Sequence, residues 1–244
     1  MKKTTIRCMT AAFALTIGSA YALDLGGLIE AGKGAVKGAT LSDAEVKASA
    51  DGACAYLDKQ NKVAAANSPY AKRLAKLTAG LDNEDGIALN FKAYLVADIN
   101  AFAMANGCVR VYSGLMDKAT DDEIRGVIGH EIGHAKLGHT LAKMRVELMT
   151  ASARQGAAAT GGTVAGLASS EIGGYAESFV NAQFSQKEES DADAYGFQFM
   201  KRHNFDPNAM VTLFKKLPGT GGLMSSHPAS SDRASKIEAL INKG

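Results

Sequence analysis

The chain has 244 residues, of which 46% are hydrophobic and 21% charged, enough for one ordinary globular domain with a sizeable core. Its formal net charge is only +2, so composition gives no support for a nucleic-acid partner, and we expect none. Trp is absent and there are four Pro against 26 Gly, which favours helices joined by short turns over a β-sandwich.

The first 22 residues have the three parts of a secretory signal. Three basic residues are followed by an uncharged, mostly apolar run over 9–17 and then by the small-x-small sequence of 20–22. This run is shorter than a membrane-spanning helix needs, so cleavage after Ala22 is favoured over a retained anchor. We therefore expect a periplasmic protein whose single domain covers 23–244. Because Cys8 lies within the signal, no lipid anchor is expected.

Two cysteines remain after cleavage, Cys54 and Cys108. An even number of cysteines in an oxidising compartment predicts one disulfide between them. The alternative is a pair of buried free thiols.

Capping signals place the first two helices. The capping box at 42–45 predicts a helix that continues to about Leu57. Ser68 and Pro69 predict a second helix over 70–81, since Pro is well suited to the first helical position.

Two stretches between these helices and the middle of the chain are predicted to be extended. Partial alternation of apolar residues indicates extended chain over 87–99, and 108–112 is predicted to be a strand. The dipeptide at 106–107, Asn-Gly, is a turn signal that separates them.

The second half of the chain is predicted to be mainly helical. A second capping box at 120–123 predicts a helix from 121 to about 149. Another long helix is predicted over 176–202, followed by a short helix after Asp206 and a last helix over 229–242.

Residues 151–180 differ from the rest in composition, since two thirds of them are Ala, Gly, Ser or Thr. This composition is typical of a mobile or loosely helical connection. A helical hairpin, a lid, contact with a membrane surface and an interaction module are the alternatives.

The sequence His130-Glu131-Ile132-Gly133-His134 is the HExxH pattern. Its two histidines are four residues apart, so both project from one helical face and can bind one metal ion. Glu131 points about 100° away from His130, beside the metal, where it can take a proton from a water that zinc activates. The pattern therefore predicts a zinc hydrolase.

His139 follows five residues after His134. On a continuous helix it would point about 140° away from His134 and could not join the same site. We interpret it as a surface or helix-end histidine.

Acidic residues of the predicted helix 176–202 offer a third metal ligand. Glu189 and Asp193 are spaced i,i+4, so they share one helical face. Glu189 can bind zinc while Asp193 accepts a hydrogen bond from the second nitrogen of a ligand histidine. The alternative is a solvated acidic face, as most acidic runs are.

Four segments together resemble a known family: 100–115, 130–139, 184–193 and 227–233. They are similar to the gluzincin metallopeptidases related to HtpX and the CAAX prenyl proteases, and in particular to the periplasmic LoiP-like branch. The resemblance covers most of the mature chain. It implies an α+β, mostly helical zincin-type metallopeptidase domain with a small sheet packed beside the HExxH helix.

The resemblance also implies roles for individual residues. One zinc ion per chain would be bound by His130, His134 and Glu189, with Glu131 as the general base. His227, which the residues alone would class as a turn residue, would donate to the oxyanion of the reaction. Arg233 would orient that segment or bind the substrate backbone.

The function expected from these observations is hydrolysis of peptide bonds in extended or misfolded proteins, so the partners are protein or peptide substrates. The main alternative is an envelope chaperone or assembly factor with a zincin fold and little proteolysis. Glu131 argues against it, because a purely structural zinc site needs no positioned base. Peripheral association with the envelope stays open.

Overall fold

The computed structural model describes residues 41–154, 169–217, 227 and 231–243. The predicted signal and its cleavage site lie outside the described residues, as does 155–168 of the connection predicted over 151–180.

The described residues are mostly helical. The helices are α1 (Asp43–Gln60), α2 (Pro69–Leu77), α3 (Ser113–Lys118), α4 (Asp121–Lys136), α5 (His139–Arg154), α6 (Ser169–Asn181), α7 (Gln186–Arg202), α8 (Asn208–Lys216) and α9 (Ser231–Lys243). The strands are β1 (Asn83–Glu84), β2 (Ile87–Ala88), β3 (Asn90–Tyr94), β4 (Ala101–Ala103) and β5 (Cys108–Tyr112). The predicted fold class, α+β and mostly helical with a small sheet, is confirmed.

The predicted helix starts are confirmed by their caps. Ser42 and Thr120 each form a complete capping box at the start of α1 and α4. The Ser68 hydroxyl accepts from the backbone N–H of Ala71, with Pro69 in the first turn of α2. Each cap satisfies backbone N–H groups that the first helical turn leaves unpaired.

Two predicted long helices are wrong, because each is a pair of helices. The helix predicted over 121–149 ends at Lys136, and a new helix begins at His139. Gly138 has φ +79° between them, a left-handed conformation that glycine adopts without strain and that ends a helix. The helix predicted over 176–202 is also two helices. The first ends at Asn181, and Ser185 forms a third capping box at the start of α7.

The short strand β4 lies at one edge of a three-stranded sheet. The strand order of this sheet is β3-β5-β4, with β3 parallel and β4 antiparallel to the central β5. Ala101 pairs with Val111, and Ala103 with Val109. Because α4 contacts β4, the HExxH helix lies beside the sheet edge.

A close approach of α4 to α7 brings their side chains together. A Cβ atom at Gly129 would lie 2.4 Å from Cδ1 of the buried Phe199, and one at Gly133 would lie 3.0 Å from Cδ1 of Tyr195. Glycine at these positions of α4 therefore lets the two helices approach more closely than side chains would permit.

The central strand β5 contributes to two apolar clusters. Val111 packs in the cluster built around α4 and α7, whereas Cys108 and Tyr112 pack in the cluster built around α1, α5 and α6. Alternate residues of a strand point to opposite faces, so the sheet lies between the two clusters.

The predicted disulfide is present. It joins Cys54 of α1 to Cys108 of β5, with a Cα–Cα distance of 6.5 Å. Arg110, buried on the same strand, donates to both carboxylate oxygens of Asp58 on α1. Helix α1 is thus attached to the sheet by a covalent bond and by an ion pair.

In the described part of the chain, none of the helices has the length and apolar character that crossing a membrane requires.

Candidate active site

Three buried side chains from α4 and α7 converge at one point. The Nε2 atoms of His130 and His134 are 3.0 Å apart. Oε2 of Glu189 lies 3.5 Å from Nε2 of His130, and Oε1 lies 3.6 Å from Nε2 of His134. The three residues that the sequence suggested as metal ligands are therefore brought together.

Asp193 and Arg233 lie on the Nδ1 side of His130, away from the converging Nε2 atoms. Nδ1 of His130 lies 3.0 Å from Oδ1 of Asp193. Arg233 donates to both carboxylate oxygens of Asp193 at 2.7 Å, and its Nη1 lies 2.6 Å from Oε2 of Glu189. Arg233 also donates to the carbonyl oxygen of His227, so it contacts protein groups of the site on three sides.

His134 is held by residues that the sequence analysis did not assign to the site. Its ring stacks on Phe184 with a centroid distance of 3.8 Å, and its Nδ1 lies 3.2 Å from Nδ1 of His139. As expected, His139 is a helix-end histidine and is not among the grouped ligand atoms. The argument from a continuous helix is wrong, however, because the chain turns at Gly138 and brings His139 against the ring of His134. Phe184 precedes the Ser185 cap of α7, and only its place in the family-like segment indicated a role.

His227 lies between the converging ligand atoms and Glu131. Its Nδ1 is 3.2 Å from Nε2 of His130 and 3.0 Å from Oε1 of Glu189, whereas its Nε2 is 3.2 Å from Oε1 of Glu131. Ligand atoms of His130, His134, Glu189 and His227 all lie within 4.8 Å of one another. The structure thus places His227 inside the site, within reach of a metal ion as well as of the reacting groups.

A small cavity opens beside Glu131. The edge strand β4 forms one wall, and Phe179, Phe184 and Lys143 form another. Nζ of Lys143 lies 3.5 Å from the centroid of Phe184. Lys143 and His134 must occupy opposite faces of that ring, because both are too close to its centre to share one face. Burial lowers the pKa of Lys143 to about 8.

Two of the proposed ligands, Glu189 and His134, are in the charge state that metal binding requires. Burial alone would raise the pKa of Glu189, but the neighbouring imidazoles of His134 and His227 hold it well below the usual range, so the carboxylate stays ionised. Burial lowers the pKa of His134 well below that of a free histidine, so its ring is neutral. For Asp193 the raising effect of burial on the pKa is outweighed by Arg233 and His130.

The residues present fit a bound metal ion. Asp193, a carboxylate that can only accept, lies 3.0 Å from Nδ1 of His130, so a neutral His130 keeps its proton on Nδ1 and directs the lone pair of its Nε2 toward His134. When neutral His134 carries its proton on Nδ1, the lone pairs of both Nε2 atoms and the Glu189 carboxylate face one point, an arrangement that a cation stabilises. Separations of 3.0 to 3.6 Å suit ligands placed about 2.0–2.2 Å from a shared tetrahedral ion.

Cys54 and Cys108 take no part in this cluster and belong to the disulfide. All the other residues that the sequence suggested, including Asp193 and Arg233, lie within it or directly against it. A histidine pair and a neighbouring glutamate on one helix, a carboxylate from a second helix and an edge strand beside them define a zincin-type metallopeptidase.

The chain belongs to peptidase family M48, whose profile matches residues 69–241. It is 43% identical over 230 residues to metalloprotease YcaL of Escherichia coli (strain K12), covering 92% of this chain and 91% of YcaL. It is 44% identical over 221 residues to metalloprotease LoiP of the same strain, covering 88% of each. The expected relationship to the LoiP-like branch is confirmed.

A more distant relative is larger than this chain. The β-barrel assembly-enhancing protease of Yersinia pestis is 32% identical over 188 residues, which are 66% of this chain and 36% of that protein. The chain is therefore a metalloprotease of the M48 family.

Proposed function

We propose that the protein is a zinc-dependent endopeptidase of the bacterial periplasm that hydrolyses peptide bonds of extended or misfolded proteins. The observation that carries the proposal is that α4 presents two histidines to Glu189 and a separate buried carboxylate beside them. His130 and His134 point at Glu189, whereas Glu131 is buried beside them and contacts His227 at 3.2 Å. A structural metal site would need no such buried carboxylate outside its ligand set.

Zinc is the metal that the donor set favours. Two imidazole nitrogens and one carboxylate are a ligand set of catalytic zinc sites, which keep a further position for water or substrate. Zinc bound there would act as a Lewis acid and lower the pKa of a water molecule.

The protein's own groups would then handle the proton and the developing charge. Glu131 lines the cavity beside β4 and is placed to accept a proton from the attacking water. It can afterwards deliver that proton to the leaving amine. His227, which also lines this cavity, can donate from Nε2 to the carbonyl oxygen as negative charge develops on it.

The edge strand supports an extended substrate. β4 pairs with β5 on one side, and among the described residues no strand pairs with its other side. An extended peptide can add to such an edge through backbone hydrogen bonds, which require little of its sequence. Folded proteins rarely offer a free extended segment, so unfolded or misfolded chains fit this mode of binding.

Export to the periplasm is part of the proposal. It is supported by the signal-like sequence of the first 22 residues and by the disulfide, a bond that persists in oxidising compartments. Intact-mass analysis of the protein from the periplasmic fraction should give a chain that begins at Leu23 without added acyl mass. A cytoplasmic chain that retains its first 22 residues would contradict export.

Metal content and peptidase activity, measured on the same variants, test the proposed chemistry. Glu131→Gln should retain about one zinc per chain after dialysis and lose nearly all cleavage of unfolded casein. Glu189→Ala should lose both, because it removes a ligand. Asp191→Ala is the matched control: this acid lies on the same helix but pairs with Lys187 at the surface, so both quantities should match those of the parent.

Two results would contradict the proposal. Casein cleavage by Glu131→Gln at the parental rate would exclude Glu131 as the base. A parent protein that binds zinc, cleaves no unfolded substrate and suppresses aggregation would indicate the chaperone alternative.

A further inference from the structure

The two histidines of the HExxH helix are supported by different kinds of partner. Nδ1 of His130 faces the carboxylate of Asp193 at 3.0 Å, and two hydrogen bonds from Arg233 fix that carboxylate in turn. Nδ1 of His134 faces another imidazole, that of His139, with the two Nδ1 atoms 3.2 Å apart. Within the described residues, His139 is the group that meets this nitrogen.

We propose that His139 is a positioning residue that accepts a hydrogen bond from Nδ1 of His134 and so holds His134 ready to bind the metal. This inference rests on the proposed function. It assigns to a neutral histidine the task that a carboxylate performs for His130.

Metal binding by Nε2 determines which nitrogen of His134 carries the proton. Nε2 of His134 points at His130 and Glu189, so it must keep its lone pair free to bind a metal. A neutral imidazole carries its single proton on the other nitrogen, Nδ1 in this case. Nδ1 of His139 must then accept, and the proton of His139 is on its Nε2.

The turn between α4 and α5 brings His139 to this place. α4 ends at Lys136, Gly138 adopts φ +79°, and His139 is the first residue of α5. The chain therefore changes direction between the two helices, and the fifth residue after His134 lies against its ring. A continuous helix would have carried His139 to another face.

The stacking contact of His134 restricts its ring but does not determine which ring nitrogen carries the proton. Stacking on Phe184, with an interplanar angle of 20°, restricts tilting of the ring out of its plane. A stack does not distinguish the two ring nitrogens, so it does not select which of them carries the proton. A hydrogen bond at Nδ1 makes that selection, and for metal-bound histidines the loss of such a partner typically weakens metal binding about 10- to 100-fold.

Three substitutions of His139 separate hydrogen bonding from packing. His139→Asn places an amide group where the Nδ1 atom of histidine lies, so it can still accept. His139→Leu keeps bulk without an acceptor, and His139→Ala removes both. His203→Ala is the matched control, because His203 is the histidine near the C-terminus of α7 that contacts Glu84 instead of the cluster.

The measurement is zinc affinity of the purified mature protein by competition with a chromophoric chelator, together with kcat and KM on an unfolded substrate. Far-UV circular dichroism and thermal unfolding of the chelator-treated variants check the fold independently of the metal. We expect His139→Leu and His139→Ala to bind zinc about 10- to 100-fold more weakly than the parent. His139→Asn should recover most of that loss, His203→Ala should match the parent, and KM at saturating zinc should change little.

Zinc affinities of His139→Leu and His139→Ala equal to that of the parent would overturn the inference and leave the proposed function intact. A loss that His139→Asn shares in full would also overturn it, because packing alone would then explain the loss. If the parent itself binds no zinc, the proposed function fails and the inference fails with it.

Discussion

Both side-chain oxygens of Asp193 accept hydrogen bonds from Arg233, and one of them also lies 3.0 Å from Nδ1 of His130. This pair is buried, with 3% of the Arg233 side chain and 5% of the Asp193 side chain exposed. Arg233 also contacts Glu189. One guanidinium therefore contacts both the carboxylate that faces His130 and the carboxylate proposed as a metal ligand.

Asp193→Ala should weaken zinc binding about 10- to 100-fold, because His130 loses the acceptor that fixes its ring. Activity at saturating zinc should fall less than it does in Glu189→Ala. Chelator competition and casein cleavage measure the two quantities. An affinity equal to that of the parent would show that Asp193 does not position His130.

His227→Phe should lower kcat by about 100- to 1000-fold while zinc content stays near that of the parent. The expected loss corresponds to about 2.7–4 kcal/mol, as for removal of one donor to a developing oxyanion. Metal analysis and steady-state kinetics on the same preparation provide the test. Loss of zinc in this variant would instead make His227 a ligand, which the 3.2 Å distance of its Nδ1 from Nε2 of His130 also allows.

Reduction of the Cys54–Cys108 disulfide should lower the free energy of unfolding by about 4 kcal/mol, because the bond closes a segment with a sequence separation of 54. Urea unfolding with and without a reductant measures the difference. The double variant Cys54→Ser, Cys108→Ser is the control and should not respond to the reductant. A parent protein that is equally stable under both conditions would contradict the expected contribution.

Gly129→Ala should destabilise the protein by about 1–3 kcal/mol, because the added methyl group meets Phe199 at 2.4 Å between two packed helices. Gly174→Ala is the matched control on an exposed helical position, where nothing lies within 4 Å of the added Cβ. That variant should be stabilised by up to about 1 kcal/mol, through helix propensity. Thermal or urea unfolding of both variants should give effects of opposite sign.

Asp58→Asn should lower stability by about 3–5 kcal/mol at neutral pH, because it leaves the buried Arg110 without its carboxylate. Burial alone would raise the pKa of Asp58, but hydrogen bonds from Arg110, Lys92 and Tyr94 lower it to about 2, below the ordinary value of 3.8. The stabilisation is therefore complete above about pH 4 and is lost as the pH falls toward 2. Urea unfolding at pH 7 and at pH 3 should show the gap between parent and variant narrowing in acid.

The sequence by itself determined the features that depend on neighbours along the chain. The capping boxes at Ser42 and Thr120 fixed the starts of two helices, since a cap needs only residues three positions apart. The spacing of His130 and His134 placed both on one face, and the i,i+4 spacing of Glu189 and Asp193 did the same for the acids. Helical periodicity is a local property, so these parts of the site could be predicted.

Only the tertiary structure decided how the helices meet. The turn at Gly138 returns His139 to His134, and the approach permitted by Gly129 brings α7 close enough for Glu189 to face both histidines. His227 reaches the cluster from a segment 38 residues after Glu189 in the chain. Contacts of this kind depend on packing between elements that are distant in sequence. Local spacing and composition do not predict that packing.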